Sequence, residues 1–228
     1  MMPPQTLSFD AHGDLGWRLA QGYGFARNLS LVQISGDELP RLAQDMPVAF
    51  RKVGTQWQAV AVLGPVPGVN LYLQADGGWR GRVIPKMLRS YPFQLSQNHQ
   101  NLALWPSYCA ETVGLAGVEP LFVNKQLTPA LAAKLSLLKI QQKAINRLGL
   151  VLQFFAERHL LQHWQVTNMI KSKNLNCYVD LFALDQIRLE ALSEVNWFAL
   201  SHIMPVSDII TVVRAHQLSL GSGLIASK

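Results

Sequence analysis

Residues 128–164 read TPALAAKLSLLKIQQKAINRLGLVLQFFAERHLLQHW. Thr128 is a favourable helix N-cap, and Pro129 suits the first helical position, where the missing N–H costs nothing. Leu131, Leu135, Leu138, Ile145, Leu148, Leu152 and Phe155 recur at helical spacing. Lys139, Lys143 and Arg147 follow an i, i+4 ridge on another side. An apolar stripe opposed by a charged ridge predicts an amphipathic helix, here running to about Trp164 with a bend at Gly149.

Upstream of Thr128 the period changes. Asn28 to Ile34 mostly alternates polar and apolar, as a half-buried strand does. Gly36-Asp37-Glu38 opens a short helix to about Asp45, with Asp37 as its expected N-cap. Val48–Val53, Trp57–Leu63 and Val69–Leu73 then read as three strands of an antiparallel meander, separated by turn residues. Trp79–Ile84 is a fourth expected strand, and Pro85–Ser90 a helical turn. Leu102–Trp105 and Leu121–Val123 are also strand-like.

Downstream, Cys177–Phe182 reads as a strand. Asp185 can cap a helix to Leu192, and Ser193 a second to about His202. Ile209–Val213 is β-branched and reads as a strand, with helix as the alternative. The fold class expected is α+β, with an antiparallel β-rich N-terminal half packed on a helix-rich C-terminal half. The expected organisation is one domain over residues 1–228. Residues 1–24 form an irregular arm, 27–126 the β-rich part and 128–220 the helical part.

Composition narrows the function classes. Hydrophobic residues are 49% and charged residues 15% of the 228, which excludes a disordered chain. The most apolar window, Asn196–Val213, contains His202, Pro205 and Asp208, so no transmembrane helix is expected. The opening Met1-Met2-Pro3-Pro4-Gln5 lacks a basic start and an apolar signal core; a cytoplasmic location is expected. Cys109 and Cys177 form no CxxC pair, and Walker A and dinucleotide fingerprints are absent. No cofactor is therefore expected. His159 and His163 would sit i, i+4 on the long helix, but Leu160 stands where a helical metalloprotease places its Glu. No metal is expected there. His216 and Ser219 lack a nucleophile elbow and an assignable acid, and His216 reads as a packing or hydrogen-bonding residue.

Charge patterning points further. Gly77 to Ala110 contains no Asp or Glu, yet holds Arg80, Arg82, Lys86 and Arg89 among Trp79, Tyr91, Phe93, Trp105 and Tyr108. Guanidinium groups beside aromatic faces suit carboxylates, phosphates or extended peptides. A net charge of +6 is too modest and too scattered for nucleic acid to be the expected partner.

Short motifs in the same region occur in a family's order: Pro47-Val48-Ala49-Phe50, Leu63-Gly64, Asn70-Leu71, Gly77-Gly78-Trp79, Ile84-Pro85, Leu88-Arg89 and Tyr91-Pro92-Phe93. Asp185-Gln186-Ile187-Arg188-Leu189 and Ala215-His216-Gln217-Leu218-Ser219-Leu220 continue the series. In these motifs the chain resembles the SapC family of bacterial proteins over about residues 27–220. Gln186 departs from the Glu usual in that family, which weakens a proton-transfer role for the position. The resemblance implies a non-enzymatic accessory or interaction protein that binds a protein or peptide partner in bacterial surface-protein biogenesis. The alternative is a small-molecule-binding protein or enzyme using the Arg/aromatic segment 79–93. Candidate binding residues are Asn70, Trp79, Arg82, Arg89, Tyr91 and Phe93.

Overall fold

A run of apolar residues with few polar interruptions, Val48-Ala49-Phe50, forms a strand only where both faces of the sheet are covered. The computed structural model, which describes residues 5–106, 112–114, 119–164 and 180–222, shows that arrangement. Its strands are β1 (Gln5–Thr6), β2 (Gly16–Trp17), β3 (Leu31–Gln33), β4 (Val48–Val53), β5 (Gln56–Val62), β6 (Phe93–Leu95), β7 (Leu102–Leu104), β8 (Val113–Gly114), β9 (Glu119–Pro120), β10 (Phe122–Val123), β11 (Gln126–Leu127), β12 (Leu161–His163) and β13 (Phe182–Leu184). Its α-helices are α1 (Phe9–His12), α2 (Leu39–Leu42), α3 (Lys86–Arg89), α4 (Pro129–Glu157), α5 (Gln186–Glu190), α6 (Glu194–Ser201) and α7 (Val206–Ser222). The protein is α+β, with its strands mainly N-terminal and its long helix in the C-terminal half.

The central sheet has the order β12-β13-β4-β5-β3, with every pair antiparallel. Its centre is the β4–β5 hairpin, closed by Gly54-Thr55 with Gly54 at φ +59°. Val48, Phe50, Ala59 and Ala61 join the larger core, which also contains Leu148, Val151, Leu152 and Phe155 of α4. Ala49, Val60 and Val62 pack on the opposite face with Leu181. A second core gathers Leu7, Trp17, Phe93, Leu102, Leu104, Val113, Leu121 and Leu131 around the smaller sheets. Residues expected as an irregular arm are tied into those sheets, since Gln5 pairs with Leu104 and Gly16 with both Gly114 and Pro120.

Helix α4 starts as expected, with Thr128 at its N-cap position, but ends seven residues before Trp164 (164 − 157). Its end is a Schellman-type cap: Leu160 N–H donates to Phe155 O at 2.9 Å and His159 N–H to Ala156 O at 3.1 Å. His159 takes the left-handed conformation, φ +55°, that this cap requires. Buried Leu160 follows, and the chain reverses into β12. Apolar residues from both sides of the cap keep the helical period running through the sequence, which explains the overlong expectation. His159 and His163 consequently do not share a helix face.

Two expected strands dissolve into loops. Between Gly64 and Pro85, the only pairing among described residues is the single bridge Leu73–Trp79. Side chains take over the hydrogen bonding that a ladder would supply. Asp45 Oδ2 accepts from Val83 N at 2.9 Å, Tyr72 Oη donates to Asp45 O at 2.9 Å, and Asn70 bridges Ala26 to Tyr72. The meander therefore stops after β5.

Ile209–Val213 is helical, within α7. Ile209, Val212, Ala215 and His216 lie buried at helical spacing, and α7 packs against α2, β4 and β13. Burial of that face outweighs the β preference of Ile and Val. Asp185 caps α5 as expected, accepting from Arg188 N at 3.1 Å, and Ser193 occupies the N-cap of α6. The strand expected at Cys177–Phe182 falls partly outside the described residues, as do Cys109, Cys177 and Tyr108; the described strand is β13. The short helix expected around Asp37 opens with a helical turn at Gly36–Glu38, with Ser35 rather than Asp37 in the N-cap position.

Candidate functional site

The six candidate residues separate into two groups. Asn70 donates to Ala26 O and accepts from Tyr72 N, both at 2.9 Å, and so pins a turn. Trp79 donates to Val83 O at 3.0 Å and sits between Tyr72 and Tyr23, at ring separations of 5.6 and 5.7 Å. Tyr91 is buried and stacks on Phe25, with centroids 3.7 Å apart and planes within 6°. Phe93 is fully buried edge-on against Trp17. These four are engaged in packing or internal hydrogen bonds.

Arg82 and Arg89 behave differently. Both are exposed, and both line one groove of about 550 Å³. Neither forms an ion pair or hydrogen bond with a described side chain. Arg41 from α2 and Lys86 from α3 line the same groove, as do Asp37 and Glu38.

Those two acids are already committed. Glu38 is only 6% exposed. Its Oε2 accepts from Ser35 N at 3.0 Å and Ser35 Oγ at 2.7 Å, and its Oε1 accepts from Lys86 N at 2.6 Å. The buried carboxylate thus welds the helical turn Gly36–Glu38 to the start of α3, with every contact charge-assisted. Asp37 forms an ion pair with the Lys86 ammonium. Partial burial pushes the Asp37 pKa up, but hydrogen bonds from Lys86 and Ser35 and the Lys86 charge outweigh it, so the pKa is lowered. Arg41, Arg82 and Arg89 remain as three guanidinium forks around a groove whose carboxylates are occupied. Such forks attract and orient carboxylate or phosphate oxygens.

Sequence reasoning singled out Arg82 and Arg89 but missed Ser35, Glu38 and Arg41. The legible signal was the acidic pair Asp37-Glu38 placed just before Leu39-Pro40-Arg41. What could not be read was its meeting with Lys86, 49 residues away in the chain. Among the described residues there is no cluster of three or more His, Cys, Asp or Glu side chains able to hold a metal. His216 is buried: its Nε2 accepts from Leu184 N at 3.1 Å, and its ring lies 4.6 Å from that of Phe50.

Fold and groove together define an α+β protein with a cation-lined surface groove. The SapC family model matches residues 7–222, nearly the whole sequence, and the chain belongs to the SapC family. No curated protein and no solved structure matches it. Among the described residues, no helix is long and apolar enough to cross a membrane.

Proposed function

We propose that this SapC-family chain is a non-enzymatic accessory protein that acts in the cytoplasm, holding a protein or peptide partner in bacterial surface-protein biogenesis. One observation carries the reading: Arg82 and Arg89 stand exposed in one groove while the neighbouring acids are bound elsewhere. A partner carboxylate can meet a guanidinium fork there without displacing an internal ion pair. Each exposed ion pair contributes little alone, about 0–1 kcal/mol, so selectivity comes from several cations acting together. Non-polar contact beside the groove supplies the rest of the affinity.

The test is affinity capture from the native cell with mass spectrometry, followed by binding of the recovered partner in purified form. Arg89→Lys keeps the charge and loses the fork. It should weaken that binding while leaving the melting temperature unchanged, and Arg82→Ala with Arg89→Ala should abolish it. Undiminished binding by the double variant would remove the groove from function.

A further inference from the structure

A second groove, of about 470 Å³, runs between α3 and the first half of α4 and shares Asp37, Lys86 and Arg89 with the first. Its α4 wall carries Ala130, Ala133, Leu137, Ile140 and Ala144. The intervals are 3, 4, 3 and 4, the a/d spacing of a coiled-coil seam. Neither core uses this seam: Leu137 is 67% and Ile140 64% exposed. Two large aliphatics flanked by alanines leave room for a second helix to approach closely.

Charge decides which helix fits. In that heptad frame Lys134 occupies an e position and Lys143 a g position, with Ser136 and Gln141 at the others and no acid among them. Lys134 lines the groove, with its ammonium 5.5 Å from the ring centres of both Trp17 and Phe93. Arg89 adds a cation from the facing wall. The one acid there, Asp37, is paired with Lys86. Residues at e and g choose the partner of a coiled coil. A second copy of this chain would set Lys134, Lys143 and Arg89 against like charges.

We infer that the groove between α3 and α4 receives an amphipathic α-helix from a different protein, with apolar residues at its a and d positions and Asp or Glu at its e and g positions. The inference deepens the partner-binding reading and shares Arg89 with it, while its apolar seam is separate.

The test uses the full chain and a fluorescent synthetic helix of about 18 residues, the length of α4 from Ala130 to Arg147. One peptide has Leu at a and d and Glu at e and g. A second replaces Glu with Lys, and a third scrambles the Glu peptide so that the heptad is lost. The Glu peptide should bind in a salt-sensitive manner, with the Lys peptide roughly tenfold or more weaker. Ile140→Asp and Leu137→Asp should abolish binding without lowering the melting temperature. Equal binding of the scrambled peptide, or unchanged binding by Ile140→Asp, would overturn the inference. So would a dimer of the chain that Leu137→Asp converts to monomer, because the seam would then be filled by a second copy. Failure of the Glu peptide, with the natural partner still lost in the Arg82→Ala/Arg89→Ala double variant, removes the helix and leaves the proposed function standing. A natural partner indifferent to those arginines, with the Glu peptide still bound, does the reverse.

Discussion

The two halves of α4 obey one helical period and meet opposite fates. From Leu148 to Phe155 the helix gives Leu148, Val151, Leu152 and Phe155 to the larger core, against the central sheet. From Pro129 to Ala144 it gives Leu131 fully, and Leu135 and Leu138 in part, to the smaller core, while Leu137 and Ile140 face out. Gly149 marks the tighter half: a β-carbon there would come within 3.1 Å of Trp57 O, so the helix approaches β5 more closely than alanine would readily permit. The difference teaches that apolar character alone does not assign a helical face to the core. A sheet must be within reach to cover it.

The sharpest break of this comparison is Phe155→Ala, which should cost about 3–5 kcal/mol in denaturant unfolding by opening a cavity between helix and sheet. If Leu137→Ala cost as much, the two halves would not differ. Acid offers a second probe of the packed side. Burial lowers the pKa of His216 to about 4 from 6.5, a backbone hydrogen bond with Val48 opposing the shift in part. The folded protein keeps the ring neutral where the unfolded chain protonates it. Its contribution is therefore complete above about pH 6.5 and is lost as pH falls toward 4, on the order of 3 kcal/mol in all. His216→Gln should flatten that part of the stability–pH curve; an unchanged slope would show that the ring is not held neutral.

A smaller effect belongs to the Glu38 contact that joins the Gly36–Glu38 turn to α3. Glu38→Ala strands Ser35 N–H and Lys86 N–H, and should cost about 1–3 kcal/mol. It should also loosen Arg82 and Arg89, so the same variant should weaken partner binding more than its stability loss alone explains. The least effect is expected on the open side. Leu137→Ala and Ile140→Ala should each change stability by less than about 0.5 kcal/mol. A loss of 2 kcal/mol or more at either position would mean that the seam is already covered within the chain.

Much of this was legible in the residues. The α4 start at Thr128-Pro129, the β4–β5 hairpin and the Asp185 and Ser193 cap positions follow from local chemistry: a proline without a donor, a glycine free to take positive φ, a short side chain that can cap. The acid-free window also led to Arg82 and Arg89, because a cation with no acid nearby in sequence must look further for a partner.

Other features were decided only by tertiary structure. The strand expected at Ile209–Val213 became helix because its buried face packs on α2 and the sheet, an energy that no local propensity contains. The segment from Val69 to Ile84 forms a loop tied to remote residues: Val83 N donates to Asp45, while Tyr72 and Asn70 within it donate to Asp45 O and Ala26 O. Asn70, Trp79, Tyr91 and Phe93 are candidates by residue type in sequence, and only the fold shows them engaged in internal hydrogen bonds and ring packing. Local sequence determined where the backbone could turn, start a helix or extend. Which polar and aromatic side chains remained free depended on partners tens of residues away, since only folding brings a donor to its acceptor.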